Sequence, residues 1–264
     1  MISIDKYAYL SKLNSMSPVL KVSFAIVMMA LCIGANNLYI SCLILLTVSY
    51  LTVAKGKVPL RQYMKLLRVP LVFLVIGVLT IIISFTKEPL DLWNLKVFGR
   101  YLAISRQGLF FGISLAFKAL GAVSCLYFMS LSTPVFEVVS VLNRIHLPKI
   151  LTEMMLLIYR FIFILMDTKN MMTISADARL GFSTRKAWMH STANIAGTLF
   201  IKAYKRSGDM YDAMESRCYD GSIEFLEEEK KIETKQMVLA MCCVIILLAL
   251  TIYLNMKGLG VHNG

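Results

Sequence analysis

The sequence predicts an all-α polytopic membrane protein, with about five transmembrane helices plus a cytoplasmic or interfacial helical coupling region. Three observations predict it. Hydrophobic residues make up 58% of the 264-residue chain, more than a soluble domain of this length normally carries. Five apolar runs, 19–35, 38–54, 69–86, 108–131 and 236–255, approach the roughly 20 residues that cross a ~30 Å hydrocarbon layer. These runs are too long and continuous for barrel strands, which leaves helices to satisfy the backbone in lipid.

Four of the runs fall within residues 1–131, an N-terminal membrane domain; residues 132–235 form a separate region, and residues 236–264 hold the last span and a short tail. Ahead of the first run, Lys6, Lys12 and Pro18 make a polar-mixed segment. No convincing small-x-small site comes after that run, so a removable signal peptide is not expected. The link after the second run carries Lys55, Lys57, Arg61, Lys65 and Arg68 with no acid, whereas Asn36 and Asn37 after the first are uncharged. Basic residues beside spans resist translocation, so the N-terminus is read as cytoplasmic. Four spans then return the chain to the cytoplasm at residue 132, and the 132–235 region lies inside the cell.

The net charge of +12 does not point to nucleic acid. Residues 1–131 carry 13 basic and 3 acidic side chains, while residues 132–235 carry 14 and 13. The excess lies in the membrane half, where positive-inside topology and anionic headgroups in the surrounding bilayer account for it. The 132–235 region is nearly neutral, as a protein-binding surface would be.

Within that region Pro134 and Pro148 bracket a short helix over 135–145. A longer helix begins near Ile150 and contains an apolar run from Met154 to Met166. Glu153, Arg160 and Asp167 recur every seven residues and make a polar stripe on one face. The stripe and the shortness of the run favour an amphipathic helix at or under the cytoplasmic interface rather than a sixth span. After Gly181, Ser183 and Thr184 read as a turn with a cap. A helix over 187–206 should end at Gly208, and a further helix over 209–219 should come next. The mixed-charge run Glu224–Lys235 reads as a solvated linker.

Two stretches of this region share one pattern of acid, small residue and arginine: Asp177-Ala178-Arg179-Leu180-Gly181 and Glu215-Ser216-Arg217-Cys218-Tyr219. A planar guanidinium makes several hydrogen bonds at once to carboxylates or carbonyls, and a small neighbour permits close backbone approach. Asp177 and Glu215, two residues earlier, are placed to orient the arginines or to pair across an interface. One such arginine is ordinary at an interface; the repetition at matched positions marks both as docking residues.

These motifs give the chain its resemblance to a family. Together with the Ser11-x-Leu13 and Pro18-x-x-Lys21 elements, Leu147-Pro148 and Tyr159-Arg160-Phe161-Ile162-Phe163, they resemble the transmembrane T component of energy-coupling factor transporters, in particular the CbiQ type of cobalt or nickel uptake systems. Leu180 and Cys218 stand where the usual motif has glycine, and Ser216 where it has alanine. The resemblance implies an ABC-type importer of the bacterial or archaeal cell membrane, in which a pair of cytoplasmic ATPases docks on Ala178, Arg179, Gly181, Ser216, Arg217 and Tyr219. Asp177, Glu215, Glu153 and Arg160 would support that interface, and a separate, metal-specific membrane subunit would bind the substrate. ATP and magnesium would be held by the ATPases, since this chain has no G-x-x-x-x-G-K-[ST] loop, and no cofactor is expected in it.

His146, His190 and His262 have no paired spacing, and five of the six cysteines, Cys32, Cys42, Cys125, Cys242 and Cys243, fall in apolar runs; a metal site within the chain is not expected. The rival class is a self-contained secondary transporter or channel, which would want intramembrane acids paired between two halves. The apolar runs offer none. A membrane-embedded enzyme would need convergent acid, base or nucleophile residues, and no such spacing is visible.

Overall fold

A computed structural model describes residues 3–11, 13, 16–35, 37–86, 94–97, 100–104, 106–145, 147–221 and 234–256. Nine α-helices and three strands occur among them. In chain order they are α1 (Ser3–Leu10), α2 (Pro18–Gly34), α3 (Leu38–Tyr50), α4 (Leu60–Ile82), β1 (Ile83–Thr86), β2 (Asn94–Val97), β3 (Arg100–Ile104), α5 (Arg106–Ser132), α6 (Val135–Arg144), α7 (Lys149–Asp177), α8 (Arg185–Glu215) and α9 (Thr234–Met256). They fall into two compact units, Val135–Glu228 and the remainder. Most of the Glu224–Lys235 linker, His146, His262 and part of the 87–107 link lie outside the described residues.

The larger unit is a bundle of apolar helices. Leu38–Lys55, Leu60–Ile81, Gly108–Ser132 and Gln236–Leu254 are long and apolar enough to cross a membrane, and Pro18–Gly34 is a shorter apolar helix. The fold is therefore that of an all-α, multi-pass membrane protein. α5 packs against α2, α3 and α4. A Cβ on Gly121 would sit 2.7 Å from Cys32 Sγ and 3.3 Å from the Ser41 carbonyl oxygen, so glycine is what lets α5 lie close to α2 and α3. Met28, Cys32, Ile40, Ile44, Val48, Cys125 and Leu247 form the core there. Through Leu247, α9 joins the N-terminal helices and packs on α2 and α3.

Two polar contacts between helices complete a helix end or repair a broken ladder. Lys21 is 1% exposed, and its Nζ donates to the carbonyl of Ser132 at 3.1 Å, capping the last turn of α5 with a cation. Pro70 lies inside α4 and has no N–H for the Leu66 carbonyl four residues earlier. The Tyr127 hydroxyl of α5 donates to that carbonyl at 3.1 Å. Neighbouring helices commonly rescue a proline-freed carbonyl in this way inside membranes.

Several sequence expectations shift. α4 starts at Leu60 rather than Val69, so Arg61, Lys65 and Arg68 lie on its first turns. Hydropathy marks the lipid-buried stretch of a helix, not its first residue, because long basic side chains extend towards the headgroups. The 69–86 run is not helical to its end: residues 83–86 are β1, and β3 pairs antiparallel with both β1 and β2. Gly208 does not end a helix either. α8 is one helix of 31 residues, because a lone interior glycine costs only about 1 kcal/mol relative to alanine.

In the smaller unit α6 packs on α7 and α7 on α8. α7 has 29 residues and is not among the helices apolar and long enough to cross. The Thr184 hydroxyl oxygen accepts the Ala187 N–H at 3.2 Å, capping α8 as a threonine at that position commonly does.

Candidate functional site: two matched helix ends

α7 and α8 end in the same way. Past α7 the Gly181 N–H donates to the Ala176 carbonyl at 2.8 Å and the Leu180 N–H to the Asp177 carbonyl at 2.9 Å. Past α8 the Tyr219 N–H donates to the Met214 carbonyl at 3.1 Å and the Cys218 N–H to the Glu215 carbonyl at 3.0 Å. Each pair of bonds is a Schellman motif, which needs one residue in the left-handed conformation. That residue is Leu180 in the first end, φ 57°, and Cys218 in the second, φ 59°. Arg179 and Arg217 are therefore the same structural residue, the last before the reversal, and both are exposed, as are Ala178 and Ser216 before them. A cation there also faces the carbonyl-rich, partly negative end of its helix.

The motif acids act here through their main chains. The Asp177 and Glu215 carbonyls close the turns, while their side chains are exposed. Asp177 also lines a shallow groove of about 400 Å³ with Thr173, Ile174, Phe182 and Trp188.

Each end is also tied to the other helix. Gly181 has no room for a side chain: a Cβ would meet Ser191 Oγ at 2.7 Å and the Ala176 carbonyl oxygen at 2.8 Å. Ser191 Oγ, on the second turn of α8, donates to the Gly181 carbonyl at 2.8 Å. At the opposite end the Tyr219 hydroxyl donates to a carboxylate oxygen of Glu153 at 3.1 Å. Glu153 is 6% exposed, on the first turns of α7. Partial desolvation pushes the Tyr219 hydroxyl pKa above its ordinary value, and the bond to Glu153 and the charges of Glu153 and Asp220 add to that. α7 and α8 are thus an antiparallel pair pinned at both ends.

Of the residues singled out in the sequence, Glu153 and Tyr219 are brought together across 66 positions. Arg179 and Arg217 are kept apart, at opposite ends of a helix whose 31 residues span about 45 Å. Arg160 is exposed, two turns along α7 from buried Glu153. The seven-residue spacing placed them on one face but says nothing of depth. Ser191 carried no signal in the sequence, because its function depends on a glycine ten residues earlier whose carbonyl it reaches only once the helices fold back. Among the described residues no group of three or more histidine, cysteine or acidic side chains gathers to hold a metal ion.

A bundle of apolar helices together with a helical unit bearing matched arginine ends defines a multi-pass membrane protein. The family described as "CbiQ: Cobalt transport protein" matches residues 10–232, and the chain belongs to it. It is 32% identical over 225 residues to an uncharacterized protein of Methanocaldococcus jannaschii, covering 85% of this chain and 83% of that one. To the cobalt transport protein CbiQ of Salmonella typhimurium it is 28% identical, over 84% of this chain and 98% of the relative. To the energy-coupling factor transporter transmembrane protein EcfT of Exiguobacterium sibiricum it is 28% identical, over 80% and 82%.

Proposed function

We propose that this chain is the energy-coupling transmembrane subunit of an importer for cobalt or nickel. In this reading its N-terminus is cytoplasmic, two cytoplasmic ATPases dock on the ends of α7 and α8, and a separate membrane subunit binds the metal. The observation that carries the reading is the equivalence of Arg179 and Arg217 in two Schellman ends with the same hydrogen-bond pattern. Two equivalent ends suit two equivalent ATPase subunits, and a separation of about 45 Å along α8 gives each its own site.

The geometry also suggests how motion is passed on. ATP-driven closure of the ATPases would move the two arginine ends. The Ser191 and Tyr219 ties make each end move with the opposite helix as well as its own. α7 and α8 would then turn as braced levers rather than fray at their tips. No residue of α8 is buried, and Trp188, Phe200, Ile201 and Tyr204 are exposed along it. Apolar exposure of this kind outside the spans marks surfaces that bind partners or lipid. In this reading the chain hydrolyses no ATP itself.

The test is co-purification of the tagged, membrane-inserted chain with its ATPases. Arg179→Ala and Arg217→Ala should each lower the recovered ATPase, and the double variant should abolish it. Full recovery with the double variant would remove the arginines from the interface. Failure of the wild-type chain to bind any ATPase would favour the self-contained transporter.

A further inference from the structure

α3 does not end as an ordinary helix. It runs into a π-helical turn over Leu51–Lys55, closed by the Gly56 N–H donating to the Leu51 carbonyl at 3.0 Å. A Cβ on Gly56 would collide with the Thr52 carbonyl oxygen. Lys57 comes next in the left-handed conformation, φ 53°. A π turn and a left-handed lysine each cost energy, and such features gather at functional positions.

What they position is a pair of cations on a cavity wall. Lys55 and Lys57 line a cavity of about 680 Å³, with Lys21 as a third cation and Leu20, Phe24 and Ala240 among its apolar residues. None of the described residues lining it is acidic. Lys21 is engaged with Ser132, whereas Lys55 and Lys57 are exposed.

A second groove of about 340 Å³, apolar but for Ser23, shares Leu20, Phe24 and Ala240 with this cavity. It continues along the seam between α2 and α9 as far as Val27 and Ile245. From Gln236 in the cavity to Ile245 in the seam, the two together rise about 13 Å along the helix. Leu239 and Ile245 are each 58% exposed on α9, so the seam opens on the outer surface of a bundle that sits in lipid.

We infer that the cavity and seam bind one anionic phospholipid, its phosphate against Lys55 and Lys57 and an acyl chain along α2 and α9. A zwitterionic lipid brings no net charge to the lysines, and a free phosphate leaves the apolar seam unused. Lysines near an anionic headgroup contribute about 1 kcal/mol each, and the seam adds apolar burial.

The test is native mass spectrometry of the full chain released from nanodiscs containing phosphatidylglycerol and phosphatidylcholine. The wild type should retain one phosphatidylglycerol. Lys55→Gln with Lys57→Gln should weaken that retention roughly 30-fold, without changing phosphatidylcholine. Arg61→Gln with Lys65→Gln, exposed cations of α4 that do not line the cavity, should leave it unchanged. Ala240→Phe, filling the wall shared by cavity and seam, should expel the lipid. Equal retention by wild type and the Lys55/Lys57 variant overturns the proposal. So does equal loss in both pairs, which would mean diffuse surface charge. Displacement by inorganic phosphate alone would make this an anion site rather than a lipid site. A lipid-free seam in the assembled transporter, with a partner helix cross-linking at Leu239, would make it a subunit interface.

Discussion

Leu180 and Cys218 occupy one structural position in two separate helix ends, each the left-handed residue of a Schellman motif and each directly after an exposed arginine. Neither residue type favours that conformation, since a Cβ crowds the carbonyl oxygen there. The chain keeps both turns by satisfying the last carbonyls of α7 and α8 and by tying each end to the opposite helix.

Leu180→Gly and Cys218→Gly are expected to stabilise their turns by about 1 kcal/mol each. Hydrogen exchange at the Gly181 and Tyr219 amides should slow about 5-fold, one amide per variant. Leu180→Val should move exchange the other way, because a β-branched residue tolerates the left-handed region poorly.

Gly181→Ala should loosen the junction of α7 with α8, at a cost of about 1–3 kcal/mol from overpacking. Limited proteolysis between residues 178 and 190 should accelerate. Adding Ser191→Ala should restore only part of the loss, since the Ala176 carbonyl oxygen still blocks the new methyl group.

Tyr219→Phe removes the hydrogen bond to buried Glu153 and should loosen the α8 end, speeding amide exchange around residue 219 roughly 10-fold, as loss of a bond to a charged group does. The raised Tyr219 pKa gives this contribution a pH dependence. It is complete below the ordinary tyrosine value of 10.0 and is lost as pH rises through the higher folded-state value. Wild-type and variant exchange rates around residue 219 should therefore converge only in strong alkali.

Tyr127→Phe leaves the Leu66 carbonyl, already freed by Pro70, without the hydroxyl that reaches it. A loss of about 1–3 kcal/mol is expected, read as a lower midpoint of thermal aggregation in detergent. Combining it with Pro70→Ala, which returns an N–H to that carbonyl, should recover most of the difference.

The spans were legible because hydropathy over 20 residues reports burial in lipid directly. The paired arginines were legible because their local patterns repeat, whereas the left-handed turns at Leu180 and Cys218 were not, because neither residue type favours that conformation. The start of α4 was not, because its first turns carry Arg61, Lys65 and Arg68 and read as a link. The passage of α8 through Gly208 was hidden because tertiary context overrides one weak propensity. The Glu153–Tyr219 and Gly181–Ser191 ties join residues that meet only when α7 and α8 fold against each other, and no local pattern encodes that register. β1 was masked by the 69–86 apolar run, read as one helix to its end.

The most direct measurement uses Cys218, an exposed thiol beside Arg217, and its structural equivalent introduced as Leu180→Cys. In the assembled transporter, with the other exposed cysteine, Cys242, replaced by serine, a short bifunctional reagent is applied from each position. Docking of one ATPase at each helix end requires an adduct of this chain with one ATPase from Cys218 alone, and with two when both thiols are present. ATPase that remains bound to the complex yet cross-links from neither position would contradict it.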